Sequence, residues 1–112
     1  MKKIANDGFS IERGEVFHLK KLSLIVVVIS NKLHNLLSKY LTVVLATEKN
    51  VDQVRESLEV VGEVKEKKIK IVASCLHTIN KQTLQESGSF LGKIDDKTAE
   101  KLDDKIRSVL DL

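Results

Sequence analysis

The 112-residue sequence has no proline and no tryptophan, a single cysteine and few aromatic residues, one tyrosine and three phenylalanines. One cysteine, Cys75, makes no intramolecular bridge, which excludes a secreted disulfide framework. It also excludes a thiolate metal cluster within one chain. The aromatics Phe9, Phe17, Tyr40 and Phe90 are dispersed, whereas a stacking platform for single-stranded bases usually needs two or three together. Average usage would place roughly five or six prolines in such a chain, and no physical reason for their absence is legible. The five glycines are scattered, so no glycine-rich phosphate loop is present. The longest apolar run covers residues 24–29, far short of the ~20 residues of a membrane helix. Lys2 and Lys3 have no apolar stretch behind them, so the start does not read as a signal peptide. The expectation is a cytoplasmic protein with no membrane contact.

What remains is ordinary globular material, 42% apolar and 31% charged. This length suits one domain, since a single core serves ~100–150 residues. We assign residues 1–10, with the turn signal Asn6-Asp7-Gly8, to a polar tail and residues 11–112 to the domain. Nineteen basic and sixteen acidic residues leave a net charge of +3, which permits a polyanionic partner without demanding one.

Residues 11–20 carry Phe17 and Leu19 in alternation with His18 and Lys20, a strand pattern. Residues 24–29 are dense in β-branched side chains and apolar at every position, so they predict a central strand covered on both faces. Residues 31–40 read as a loop or, through Leu33, Leu36 and Leu37, as one helical turn. Residues 41–46 are a third apolar run. Residues 48–64 fit helix and strand spacing equally, and residues 68–74 alternate as a strand. Residues 81–86 allow a short helical turn, and Gly88-Ser89 reads as a turn. Asp95 is a candidate helix N-cap, and Ala99, Leu102, Ile106, Val109 and Leu110 then form one apolar stripe. The pattern predicts a mainly β domain, a small barrel of about five or more strands in residues 11–79, with a C-terminal helix near residues 95–110.

Candidate chemistry is sparse. His18, His34 and His77 lie in separate segments without metal-ligand spacing, and each fits a half-exposed surface position as well as an acid or base. Cys75 reads as a small packed hydrophobe. Asp95-Asp96 and Asp103-Asp104 fall among lysines on the charged helix face. Lys65-Glu66-Lys67-Lys68 with Lys70 is a basic cluster or a charged hairpin, and Lys20, Lys21, Lys32 and Lys39 form a second basic set.

Order and spacing carry a resemblance. Ile11-Glu12-Arg13-Gly14-Glu15-Val16-Phe17 resembles the opening strand of the MazF/PemK toxin family. Val26-Val27-Val28-Ile29-Ser30-Asn31 resembles its second strand, with Asn35 and Ser38 at its loop spacing and the run to Thr47 as its third strand. His77-Thr78-Ile79-Asn80-Lys81 resembles its Arg-Thr-Ile-Asp-Lys turn, and residues 91–112 its terminal helix. The resemblance implies a small SH3-like barrel, a homodimer, an antitoxin partner and metal-independent cleavage of single-stranded RNA, with no cofactor. The RNA's own 2′-hydroxyl attacks the phosphate. Protein groups take and give protons and stabilise the charged phosphorane.

Carried over by position, the family's strand-three threonine is Thr47, a hydrogen-bond donor to phosphate. The family's charge-stabilising arginine falls on Leu24, and its long loop shrinks to roughly residues 20–23. Lys20 and Lys21 are therefore the expected substitute cations. His77, at the later arginine, and His18 are the expected acid or base, since imidazole exchanges protons near neutral pH. The expected catalytic set is Thr47, Lys21, Lys20 and His77, and the expected RNA contacts are Lys20, Lys21, His18 and Ser74, with no metal ligands. The competing reading is a catalytically degenerate barrel that binds nucleic acid or protein. The discriminating feature is the cation at the strand-two entrance: a lysine within ~3 Å of Thr47's phosphate site favours the enzyme, and an apolar groove lined by Leu24 favours the binder. Apolar Leu33, Leu36 and Leu37 suit a dimer contact.

Overall fold

A computed structural model of the chain describes residues 10–110, so most of the expected tail lies outside the described residues. The strands are β1 (Glu15–Leu19), β2 (Leu24–Val28), β3 (Tyr40–Thr47), β4 (Glu59–Val64), β5 (Lys67–Asn80) and β6 (Gly88–Lys93). The helices are α1 (Lys32–Leu37), α2 (Lys81–Ser87) and α3 (Asp96–Leu110), with a single 3₁₀ turn at Lys20–Leu22 between β1 and β2. All strand pairs are antiparallel, in the order β4-β5-β3-β2-β1-β6. The sheet curls into a half-barrel with the terminal helix packed on it, the expected fold class.

The central strands bury both faces. Val16, Ile25, Val27, Val44 and Ile71 point into the curl, where Leu102 and Ile106 of α3 cover them. Phe17, Val26, Val28, Leu41 and Val43 point the other way and pack with Ile11 and with Leu84 of α2. Phe17 meets Phe90 edge-on at 5.5 Å between ring centroids, a favoured aromatic geometry. The expectation that residues 24–29 are covered on both sides is met at Val26, Val27 and Val28.

The motifs that carry the family likeness close turns and caps. Gly14 has φ +92, a backbone state that disfavours any side chain. From there its N–H donates to the Val28 carbonyl at 2.7 Å, and its own carbonyl accepts from Ile94 at 3.0 Å. Asn31 caps α1, its Oδ1 accepting from His34 N at 2.8 Å, and Asn80 caps α2 through Gln82 N at 2.8 Å. Gly62 admits the start of α3, since a Cβ there would sit 3.1 Å from Thr98 Cγ2.

Four local expectations are corrected or settled. The segment read as a loop or a turn contains α1. β5 does not stop near residue 74 but runs fourteen residues to Asn80, across a register irregularity opposite Val44/Leu45. Gly88-Ser89 is no turn. It opens β6, which pairs with β1 and places a sixth strand beyond the expected barrel limits. Within residues 48–64 only Glu59–Val64 is a strand, because its pairing with β5 satisfies backbone groups that turns must satisfy otherwise.

Leu102 and Ile106 are buried, at 2% and 9% exposure. Truncating a side chain of this kind to alanine costs roughly 2–5 kcal/mol of the ~5–15 kcal/mol that holds a small domain. Ile106→Ala is expected to lower the melting temperature markedly. An unchanged melting curve would show that α3 is not packed there.

Asp95 is the N-cap of α3, with Oδ1 accepting from Thr98 N at 2.7 Å. The hydrogen bonds from the Thr98 side chain and backbone lower its pKa, helped by Lys97 and Lys101. A carboxylate with a lowered folded pKa stabilises above its unfolded pKa, near ~3.9, and loses that contribution as pH falls through the folded value. The melting-temperature gap between wild type and Asp95→Ala should thus stay constant from neutral pH to about pH 5 and shrink below about pH 4. A gap unchanged in acid would rule out the charged cap.

Candidate active site

The antiparallel order brings one end of each strand together. The β1–β2 turn, the end of β3 and the β4–β5 turn share one end of the half-barrel, since Leu19 pairs with Leu24, Thr47 with Lys70 and Val64 with Lys67. An open cleft of about 570 Å³ lies there. Ile25, Ala46 and Leu91 supply apolar surface. His18, Thr47, Glu48, Lys49 and Lys67 supply polar groups, and Ser23 stands at the β1–β2 turn. A smaller hollow of about 90 Å³ adjoins it, sharing Glu48, Lys67 and Leu91 and adding Lys65.

Strand alternation explains the side chains. His18 pairs with Ile25, so it lies on the inward face with Ile25 and Val16. Thr47 is the last residue of β3 and stands at the rim, two residues after Leu45 and so on the outward side of the strand, next to Leu24 in register. Its Oγ1 accepts from Lys49 N at 3.1 Å, which fixes the hydroxyl and leaves its proton to donate.

The lysines divide by what holds them. Lys70, opposite Thr47 in register, turns its ammonium to the Gln53 carbonyl at 3.2 Å and to Glu59 at 3.9 Å. Lys81 donates to the Asn35 carbonyl at 2.7 Å. Among the described residues, no hydrogen bond or ion pair occupies the ammonium groups of Lys49, Lys65 or Lys67. Sequence reasoning did not select Lys49 or Lys67 as site residues. Lys67 stood in the Lys65-Glu66-Lys67-Lys68 cluster, and its place in the cleft becomes visible only when β4, β5 and β6 curl together.

The expected site residues separate. Thr47 and His18 share the cleft. Lys20 and Lys21 are exposed on the 3₁₀ turn at the same end, outside its walls. His77 pairs with Val43, four positions along β3 from Thr47, or about 13 Å at ~3.3 Å per residue. Ser74 is exposed in the irregular part of β5, away from the cleft. Leu24 lies on the outward face with Val26 and Val28 and does not line the cleft. Lys49 and Lys67 line the cleft together with Thr47, and Leu24 is not among its lining residues.

A second groove, of about 420 Å³ between β4 and α3, has Glu56, Glu59, Lys101 and Lys105 along it. With Asp104 also along it, its charges are of both signs, and Thr47 does not line it. Among the described residues no group of three His, Cys, Asp or Glu side chains is placed to hold a metal ion, and no helix is long and apolar enough to cross a membrane.

Solved structures share this architecture. An endoribonuclease from a mycobacterial species superposes with a TM-score of 0.75 at 20% identity, over 91% of this chain and 92% of that one. An endoribonuclease in complex with its cognate antitoxin, also mycobacterial, gives 0.74 at 20% identity, over 91% and 96%. A MazE-MazF complex from Deinococcus radiodurans gives 0.75 at 12% identity, over 93% and 99%. At such identities the likeness is one of fold. No curated protein matches the chain by sequence. The sequence model of the PemK-like, MazF-like toxin of type II toxin–antitoxin systems, however, matches residues 18–110. The chain therefore belongs to the PemK-like, MazF-like toxin family.

Proposed function

We propose that this chain is the endoribonuclease toxin of a toxin–antitoxin pair, acting on single-stranded RNA in the cytoplasm at the cleft around Thr47. The observation that carries the reading is the convergence, at one end of the half-barrel, of a fixed hydroxyl, an imidazole and two unoccupied ammonium groups. The reaction needs those kinds of group. The 2′-oxygen attacks phosphorus, the bond to the 5′-oxygen breaks, and a 2′,3′-cyclic phosphate and a 5′-hydroxyl result. One group takes the 2′-proton, another gives a proton to the departing oxygen, and donors stabilise the added negative charge. His18 is suited to either proton transfer. Glu48 supplies a carboxylate on the same wall. Thr47 donates to a phosphate oxygen.

The partner surface lies at the opposite end of the sheet. Leu33, Leu36 and Leu37 on α1 are 66%, 53% and 77% exposed, and Tyr40 beside them is 52% exposed. A cluster of exposed large apolar side chains marks an interaction surface. We assign it to the homodimer contact, with the antitoxin as the toxin's further partner.

Purified protein incubated with labelled single-stranded RNA in EDTA should release fragments ending in cyclic phosphate. Thr47→Ala should reduce the rate by ~10²–10³, the usual cost of removing a charge-stabilising donor. RNA bound in a salt-sensitive way but never cut would instead establish the binding module.

Sedimentation at tens of micromolar should give twice the 12.6 kDa chain mass, and Leu33→Asp with Leu37→Asp should give the monomer. A wild-type monomer would remove α1 as a dimer contact.

A further inference from the structure

One row of side chains crosses the outward face of the sheet at the cleft end. Leu19 of β1 pairs with Leu24 of β2. Ile25 pairs with Ala46, so Leu24 adjoins Thr47 of β3 in register. Thr47 pairs with Lys70 of β5, and Lys70 with Val61 of β4. Opposite residues of an antiparallel sheet share a face, with Cβ atoms ~4.5–5.5 Å apart. Thr47 is therefore flanked by Leu24 on one side and by Lys70 on the other. Lys70 is the one cation in this row. Lys67 pairs with Val64 and turns, with Ile69 and Ile71, to the inward face.

The Lys70 ammonium is held in place without being used up. Its side chain is only 13% exposed, and it donates to the Gln53 carbonyl, in the segment between β3 and β4, at 3.2 Å. Glu59 Oε1 stands 3.9 Å away, beyond hydrogen-bond length, and that oxygen already accepts from Arg55 N at 2.8 Å. An ammonium has three donors, so two remain. A charge shielded from water acts more strongly on a neighbouring anion than an exposed lysine does. The same face leaves room for that anion. Leu24, Leu45, Thr47 and Val72 are half-buried there, and Leu45 pairs with Val72. A phosphate held by the Thr47 hydroxyl would have apolar surface beside it for a sugar or a base.

We propose that Lys70 is the cation that stabilises the added negative charge at phosphorus, on the outward face beside Thr47. The assignment rests on reading the Thr47 end of the sheet as an RNA-cleaving site. Glu59 and the Gln53 carbonyl fix the ammonium before RNA arrives, so little reorganisation accompanies the reaction. Thr47 and Lys70 then hold phosphate oxygens from adjacent strands.

Two measurements test it on the whole chain. The first is cleavage of single-stranded RNA. The second is binding of the same sequence with 2′-O-methyl groups, which cannot attack phosphorus. Lys70→Gln should lose about 10²-fold or more in cleavage rate. It should also reduce the slope of log affinity against log salt by about 0.7, one single-strand phosphate contact. Adding Leu24→Arg to Lys70→Gln should recover about tenfold or more of that rate, because position 24 flanks Thr47 from the other side. Glu59→Gln keeps the acceptor for Arg55 N and removes the competing carboxylate, so it should tighten binding about threefold or more. Lys101→Gln on α3 should change neither measurement.

Lys70→Gln within about twofold of wild type in rate, with an unchanged salt slope, would overturn the assignment while leaving the nuclease reading intact. A rate that falls with no change of slope and no recovery by Leu24→Arg would make Lys70 a brace for the β3–β4 segment, which overturns it as well. If Lys70→Gln does not fold, Glu59→Gln decides, and unchanged binding there counts against Lys70. If wild type binds without cutting, the nuclease reading fails and the salt slope alone decides whether Lys70 meets phosphate. If it neither cuts nor binds, both fail.

Discussion

The register between β2 and β3 is the constraint on which the rest of the structure depends, and the buried Asn35 side chain secures it. A strand that is apolar on one face finds its register from that face, since a one-residue slip would expose it. β2 is apolar on both faces, so a slip would exchange one set of valines for another. Polar groups supply the missing signal. Asn35 Nδ2 donates to the Ile11 carbonyl at 2.8 Å and to the Ser30 carbonyl at 2.9 Å, while Asn35 Oδ1 accepts from Ser30 Oγ. Ser30 Oγ in turn accepts from Thr42 N at 3.1 Å. These bonds tie the lead-in to β1, the exit of β2 and the entry of β3 into one arrangement. Asn35 is buried and its partners are partly so, so a slipped register would leave the Asn35 amide unpaired at roughly 1–3 kcal/mol per lost partner. The consequence appears at the far end of the sheet, where Ala46 comes opposite Ile25 and Thr47 reaches the rim of the cleft.

That constraint also explains why a family likeness was legible while the chemistry was not. Gly14, Ser30, Asn31, Asn35, Asn80 and Lys81 close turns, cap helices and hold the knot together. Lys81 reaches back to the Asn35 carbonyl, so the later motif is bound to the earlier one. None of these residues lines the cleft. A sequence can keep such residues, because the fold needs them, and still exchange its catalytic cation.

Much of the fold was readable because local and tertiary preferences agree. The β-branched runs are strands, Asp95 is the cap, and the stripe through Leu102 and Ile106 is the packed face of α3. β6 escaped because Gly88, Ser89 and Gly92 are poor strand formers, and pairing with β1 holds them. α1 was ambiguous because six residues are too few for a helical period to declare itself. Thr47 and His18 were chosen from position and type, and both line the cleft. His77 was not separable from them by sequence, because strand pairing alone sets its distance along β5. Lys67 was visible as charge, but its place in the cleft was not, because its neighbours there come from strands β1, β2, β3 and β6.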